Sequence, residues 1–342
     1  VNINIKDTTK VFRIESYEKK YEQLWDDFVL NKSINGTFLQ SRRFLNYHPE
    51  DRFEDCSLLI FNQKDNLAAV IPACKDPKAS ACFFSHKGST YGGIIIDKKH
   101  YSGNSLLEII ESFEQYLRAN QFTSVYLKIT PDILSIESPA LLEYLLYYKK
   151  YQQYSELNTY IDLENYDEDI LANFSQGKRT NINNCLKMEL QCEEIESNNE
   201  IKILHELISL NLRKYGVSPV HSLNEFIDLK EKCIIDNISF FKCMLKEDII
   251  AGAVVFYFPK TKTIHTQYLC SKEEFAKLSP MSFMYYSMIL EAKKINYKKI
   301  SWGVSTENFG CTLNQGLLKN KESYGSTYSI NKTFYKMLTL EV

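Results

Sequence analysis

Residues 85–93 read SHKGSTYGG and gather three of the chain's 12 glycines between the apolar runs ACFF and IIID. His86, Ser89, Thr90 and Tyr91 suit a polar ligand, and the glycines permit a tight or bulged strand junction. The stretch is neither a P-loop, which needs Gly-Lys followed by Ser or Thr, nor GxGxxG. It serves equally as a structural bulge around a satisfied core histidine. A second polar set lies in TIHTQYLC, where strict alternation turns His265 and Gln267 to one face unless a bulge intervenes, with Tyr268 beside them. Lys178 and Arg179 open a helical stretch on which Asn183 and Lys187 recur near one face, a surface suited to phosphate and equally to solvent. Pro280 and Ser282 mark a helix start whose N–H groups suit an anion, while also being ordinary start signals. Asn308, Asn314, Lys319 and Lys321 follow a strand end, where open α/β sheets collect their ligands.

These residues need elements to carry them, and the composition supplies a core: 342 residues, 44% apolar, with 23 Tyr and 20 Phe. Lys plus Arg total 41 against 43 Asp plus Glu, evenly in both halves, so neither half has the basic excess of a dedicated nucleic-acid domain and no DNA partner is expected. Nine cysteines without a CxxC read as buried free thiols of a reducing cytoplasm, with no metal site. The longest apolar run, 249–258, is about half of what spans a bilayer, so no integral membrane segment is expected, and no secretory signal is legible.

Strand patterns fall at 10–15, 56–61, 67–73, 81–84, 91–96 and 123–129, and helical periodicity at 18–30 and 105–119, where Leu106, Ile109, Ile110, Phe113 and Leu117 share a face. Beyond residue 150 come a strand (154–163), helices (167–188, 200–214, 222–235), three strands (238–246, 249–258, 263–270), a helix from about 281 to 295 and a strand through KKISWGV. The order repeats. NLAAVIPAC with ACFFSH mirrors DIIAGAVVFYF with TIHTQYLC, and SLLEIIESFEQYLRANQFTSVYLKI mirrors SFMYYSMILEAKKINYKKISWGV. The expected fold class is α/β with mixed sheets: two modules, 1–150 and 151–342, each a central mixed sheet flanked by helices.

Hairpin, strand, helix, strand is the core order of the GNAT acyltransferase module, and two in one chain resemble the Fem-type (FemAB-like) peptidoglycan-bridge aminoacyltransferases and their acetyltransferase-like relatives. FSQGKRTNINNCLKMELQCEEI (174–195), HTQYLCSKEEFAKLSPMSFMYYSMILEA (265–292) and ISWGVSTENFGCTLNQGLLKNKESYGSTY (300–328) carry the likeness. Two features depart from it: Ser301 and Trp302 stand where relatives often have an acidic residue, and 271–282 lacks the glycine-rich pyrophosphate loop.

The resemblance implies a bacterial, cytoplasmic N-acyltransferase acting on an amine of a cell-envelope sugar or peptide precursor. It implies no tightly bound cofactor, and an acyl donor that is acyl-CoA or aminoacyl-tRNA; the even charge leans to acyl-CoA and the missing glycine loop the other way. The expected roles are His86, Gln267 and Tyr268 in catalysis, and His265, Ser282, Asn308 and Asn314 on the donor. Ser89, Tyr91, Lys178, Arg179, Asn183, Lys187, Lys319 and Lys321 are expected on the acceptor, with the first module helping to hold it. The alternatives are a tRNA-dependent Fem-like peptidoglycan aminoacyltransferase and a non-catalytic binding module with a degenerate groove.

Overall fold

The computed structural model describes residues 12–49, 52–76, 78–214, 216–233 and 237–338. Contacts divide the chain into two compact units: Val1–Ser155 with Asn331–Val342, and Glu156–Ile330. The module expected over 151–342 therefore gives its last residues to the first unit. The reason is packing: Phe334 is fully buried in the first unit's core and pairs with Leu127.

The first unit runs β1 (Phe12–Ser16), α1 (Glu22–Asp27), α2 (Arg42–Leu45), β2 (Leu58–Asn62), β3 (Leu67–Ile71), β4 (Ala73–Asp76), β5 (Ala79–Ser85), β6 (Ile95–Ile96), α3 (Gly103–Ala119), β7 (Ser124–Lys128) and α4 (Ala140–Tyr148). One antiparallel sheet has the order β1-β2-β3-β6. Pro72 separates β3 from β4, which leaves that sheet and pairs antiparallel with β5; β5 then pairs in parallel with β7 after the α3 crossover. The face of α3 expected from its periodicity is the buried one, packed on Phe83, Val125 and Leu127.

The second unit follows from β8 (Gln152–Asp162) through α5 (Gln176–Lys187), β9 (Gln191–Glu194), α6 (Asn198–Arg213), α7 (Leu223–Asp228), β10 (Ile238–Leu245), β11 (Asp248–Phe258), β12 (Thr263–Ser271), α8 (Pro280–Lys294), β13 (Lys299–Val304), β14 (Thr306–Glu307), β15 (Thr312–Leu313) and α9 (Gln315–Glu322) into β16 (Thr327–Met337). Its strands lie in the order β8-β13-β12-β11-β10-β9. β11 and β12 form the antiparallel pair, and α8 is the crossover to parallel β13. The repeat read from the sequence is thus one architectural unit built twice, hairpin then right-sized helical crossover.

Two local expectations are corrected. The strand expected over 91–96 contracts to Ile95–Ile96, because Gly93 sits at φ +77°, with only an isolated parallel bridge from Gly92 to Ile129 before it. The helix expected over 167–188 is a 3-10 turn, Ile170–Asn173, and then α5, because Phe174 and Ser175 are extended. The start of the strand expected at 10 and the end of the helix expected at 235 lie outside the described residues.

Candidate active site

β12 is nine residues long, yet it pairs with β13 only at Thr263↔Lys299, Ile264↔Ile300 and His265↔Ser301. Beyond that point only its β11 edge is in a ladder, so main-chain groups on its other edge face away from any strand partner. Two causes are visible. Between Val254↔Tyr268 and Val255↔Thr266 the register shifts, which leaves Gln267 as the bulged residue. Gly303 at φ +78° bends β13, whose register with β8 shifts between Ser301 and Val304.

A polar chain pins the last shared pair. His265 Nδ1 lies 3.0 Å from Ser301 Oγ, the Ser301 hydroxyl donates to Asn158 Oδ1 (3.1 Å), and Asn158 Nδ2 donates to Ser329 Oγ (2.9 Å). With the serine hydrogen committed to Asn158, His265 donates from Nδ1 and presents Nε2 as an acceptor. Past the fork, Gln267 Oε1 on one arm and Trp302 Nε1, Ser305 Oγ and Thr306 Oγ1 on the other are buried without a hydrogen-bond partner. Native interiors seldom leave four such atoms in two short segments, which makes the fork a candidate ligand site.

The start of α8 is a second polar focus. Ser279 at φ +55° turns the chain and Pro280 occupies the first helical position. Ser282 Oγ, almost fully buried, accepts from the Tyr324 hydroxyl (2.9 Å) and from Lys178 Nζ (3.4 Å), which also donates to Asn320 Oδ1 (2.8 Å) and lies over the Tyr324 ring. Burial holds the Lys178 amine below its ordinary pKa and lifts Tyr324 to about 12. Lys178, expected with the acceptor, and Ser282, expected with the donor, therefore meet at one place. Lys321 is buried rather than solvent-facing: its amine donates to the carbonyls of Gly303 (2.9 Å) and Val304 (2.8 Å), and burial pushes its pKa down to about 8.

Tyr268 reaches the opposite helices. Its hydroxyl lies 2.7 Å from His221 Nδ1, its ring packs on Phe226, and His205 Nε2 sits 3.0 Å from the His221 carbonyl. The sequence reading passed over His221, which no local pattern marks, and took Tyr324 with Gly325 only as the entry to the final strand. The remaining expected residues serve local structure. Asn314 caps α9 by accepting from Leu317 N–H (3.0 Å), Asn308 sits in the β14–β15 turn at φ +52°, and Arg179 donates to the Phe174 carbonyl (3.0 Å). Asn183, Lys187 and Lys319 are exposed on helix faces.

In the first unit, SHKGSTYGG is a packed strand exit. His86 is 3% exposed, edge-on to Phe53, and its Nδ1 accepts from Gly88 N–H (3.1 Å). A Cβ on Gly88 would meet His48 at 2.5 Å and Phe53 at 2.8 Å, and Gly93 lies against Ile129 in a left-handed conformation, so the glycines answer to close packing. The Ser89 hydroxyl reaches the carbonyls of Leu39 (2.9 Å) and Tyr91 (2.7 Å), and Tyr91 is buried with its hydroxyl 3.5 Å from Asn331 Nδ2.

Burial lowers the His86 pKa from 6.5 to about 4. The unfolded chain binds this proton near pH 6.5 and the folded chain only near pH 4, so stability is lost as pH falls through that window, by roughly 3 kcal/mol. Urea unfolding at pH 7, 5.5 and 4.5 should show the loss, and His86→Gln should flatten it.

No family model matches the chain, and no curated protein matches it. Solved structures do. The protein is a mixed α/β chain with the tandem GNAT fold of Fem-like acyltransferases. FemX superposes with a TM-score of 0.69 at 13% identity, covering 95% of this chain and 97% of that one. The L-PGS structure from Bacillus licheniformis gives 0.58 at 10% identity (93% and 91% covered), and the tandem GNAT protein of the clavulanic acid biosynthesis pathway 0.57 at 8% (97% and 100%). Among the described residues no helix is long and apolar enough to cross a membrane, and no cluster of three metal-ligating side chains is present.

Proposed function

We propose that the protein is an N-acyltransferase that moves an acyl group to an amine of a cell-envelope sugar or peptide precursor. The observation that carries the reading is the fork beyond His265↔Ser301, with its unladdered β12 edge and four unpartnered buried polar atoms. Acyl transfer to an amine needs a donor for the charge that develops on the carbonyl oxygen and an acceptor for the amine proton. Main-chain N–H groups of β12 past the fork suit the first need. The Tyr268 hydroxyl, oriented by His221, suits proton transfer to the leaving group, and Lys178 with the amino end of α8 suits the anionic part of the donor.

Acyl-CoA is the favoured donor and aminoacyl-tRNA the alternative. The even charge supports the first, and the tandem GNAT neighbour is described in its AcCoA-free form. The likeness to FemX supports the second. Calorimetric titration of the purified protein with acetyl-CoA and, separately, with aminoacyl-tRNA should show binding of one. Lys178→Ala should weaken that binding about tenfold, the worth of one charged hydrogen bond. Binding of neither removes both donor assignments.

A non-catalytic binding module is the second reading. It is favoured by Ser282, whose hydroxyl already receives Tyr324 and Lys178. Turnover with any amine acceptor would exclude it.

A further inference from the structure

Cys192 on the edge strand β9 stands directly opposite Cys243 on β10 in the antiparallel register. Directly opposed residues have Cα atoms about 4.5–5.5 Å apart, inside the range a disulfide spans. The neighbouring Cys243 and Ser287 side chains hold the Cys192 thiol below its ordinary pKa, and both thiols are free. Cys192 is half-buried and Cys243 fully buried. Cys192 also lines a partly open cavity of about 80 Å³, walled by Phe241, Met284 and Met288 with Ser287 and Glu291. A thiol pair in disulfide register, its outer member lining a small cavity together with Ser287, is a built arrangement rather than a lone cysteine.

We propose that Cys192 and Cys243 form an oxidisable dithiol that a small hydroperoxide, admitted by this cavity, converts to a cross-strand disulfide. The thiolate forms more readily on half-buried Cys192, whose pKa its Cys243 and Ser287 neighbours lower, than on Cys243, whose pKa the adjacent Cys192 and full burial raise. The Cys192 thiolate attacks the peroxide, the O–O bond breaks, and an alkoxide or hydroxide leaves and takes up a proton. Cys192 is then a sulfenic acid. The Cys243 thiol attacks that sulfur, the S–O bond breaks and water departs with the thiol proton. Two thiols lose two electrons and one peroxide gains them. Because α5 leads directly into β9, the bond ties the end of the helix that carries Lys178 to the sheet. This property is independent of the acyltransferase reading.

The test is non-reducing peptide mapping of the full chain after one equivalent of hydrogen peroxide and alkylation of the remaining thiols. The expected result is a linked 192–243 pair and a mass loss of about 2 Da, reversed by dithiothreitol. Cys192→Ser should slow peroxide consumption at least tenfold. Cys243→Ser, or Cys243→Ala should the serine be poorly tolerated, should leave a sulfenic acid on Cys192 that dimedone traps. The absence of a 192–243 link in the unmutated chain, a link from Cys192 to its other neighbour Cys185, or undiminished consumption in Cys192→Ser would overturn the proposal.

Discussion

Arg42→Ala is expected to cost roughly 3–5 kcal/mol of folding stability, the scale seen when a large, fully buried side chain is truncated to alanine. The side chain is wholly inaccessible, and its guanidinium lies 3.4 Å from the centre of the Tyr17 ring and 4.2 Å from that of Trp25. Nη1 pairs with Asp55, while Nε and Nη2 have no hydrogen-bond partner, so ring faces replace the water that the cation gave up. Asp26 fixes the approach by accepting from the backbone N–H groups of Arg42 and Arg43 (2.5 and 3.3 Å), and Trp25 Nε1 donates to the Gln40 carbonyl (2.8 Å). Truncation removes the stack, opens a cavity between two aromatic rings and strips Asp55 of its partner. Arg42→Lys should recover little, since a compact ammonium cannot stack between two rings. Urea unfolding decides the matter: a loss below about 1 kcal/mol would mean that the aromatic sandwich contributes little.

Tyr268→Phe is expected to lower kcat by roughly 10²–10⁴ with KM nearly unchanged, the range for loss of a positioned proton donor. The hydroxyl is the only part removed, and the ring still packs on Phe226. On the proposed reaction His221 acts through the tyrosine as a positioning residue, so His221→Gln should cost less and should alter the pH profile of kcat rather than substrate affinity. An undiminished kcat in Tyr268→Phe would take this side chain out of the chemistry and leave the main chain of β12 to perform it.

The two expectations differ in how far they were visible beforehand. Tyr268 was legible as a polar member of a strand, whereas nothing local marks Arg42, which reads as an ordinary basic residue in SRRFL. Its importance comes from Asp55 and Trp25, which the chain must fold to bring beside it. Of the opening glycine stretch, the sequence showed that the backbone needs freedom there; only packing against His48, Phe53 and Ile129 showed what that freedom is for.

What the sequence alone determined is what short-range periodicity carries: the apolar face of α3, the strands read at 249–258 and 263–270, the crossover helix α8, and the doubling of that order into two GNAT-like modules. Such patterns are local because hydrogen-bonding period and side-chain direction repeat within a few residues. The tertiary structure alone decided where β12 and β13 part, that Lys178 meets Ser282 across 104 positions, that Lys321 is buried on two carbonyls, and that Cys192 faces Cys243. Each depends on register or on contacts between distant segments, and neither is encoded in the spacing of neighbours.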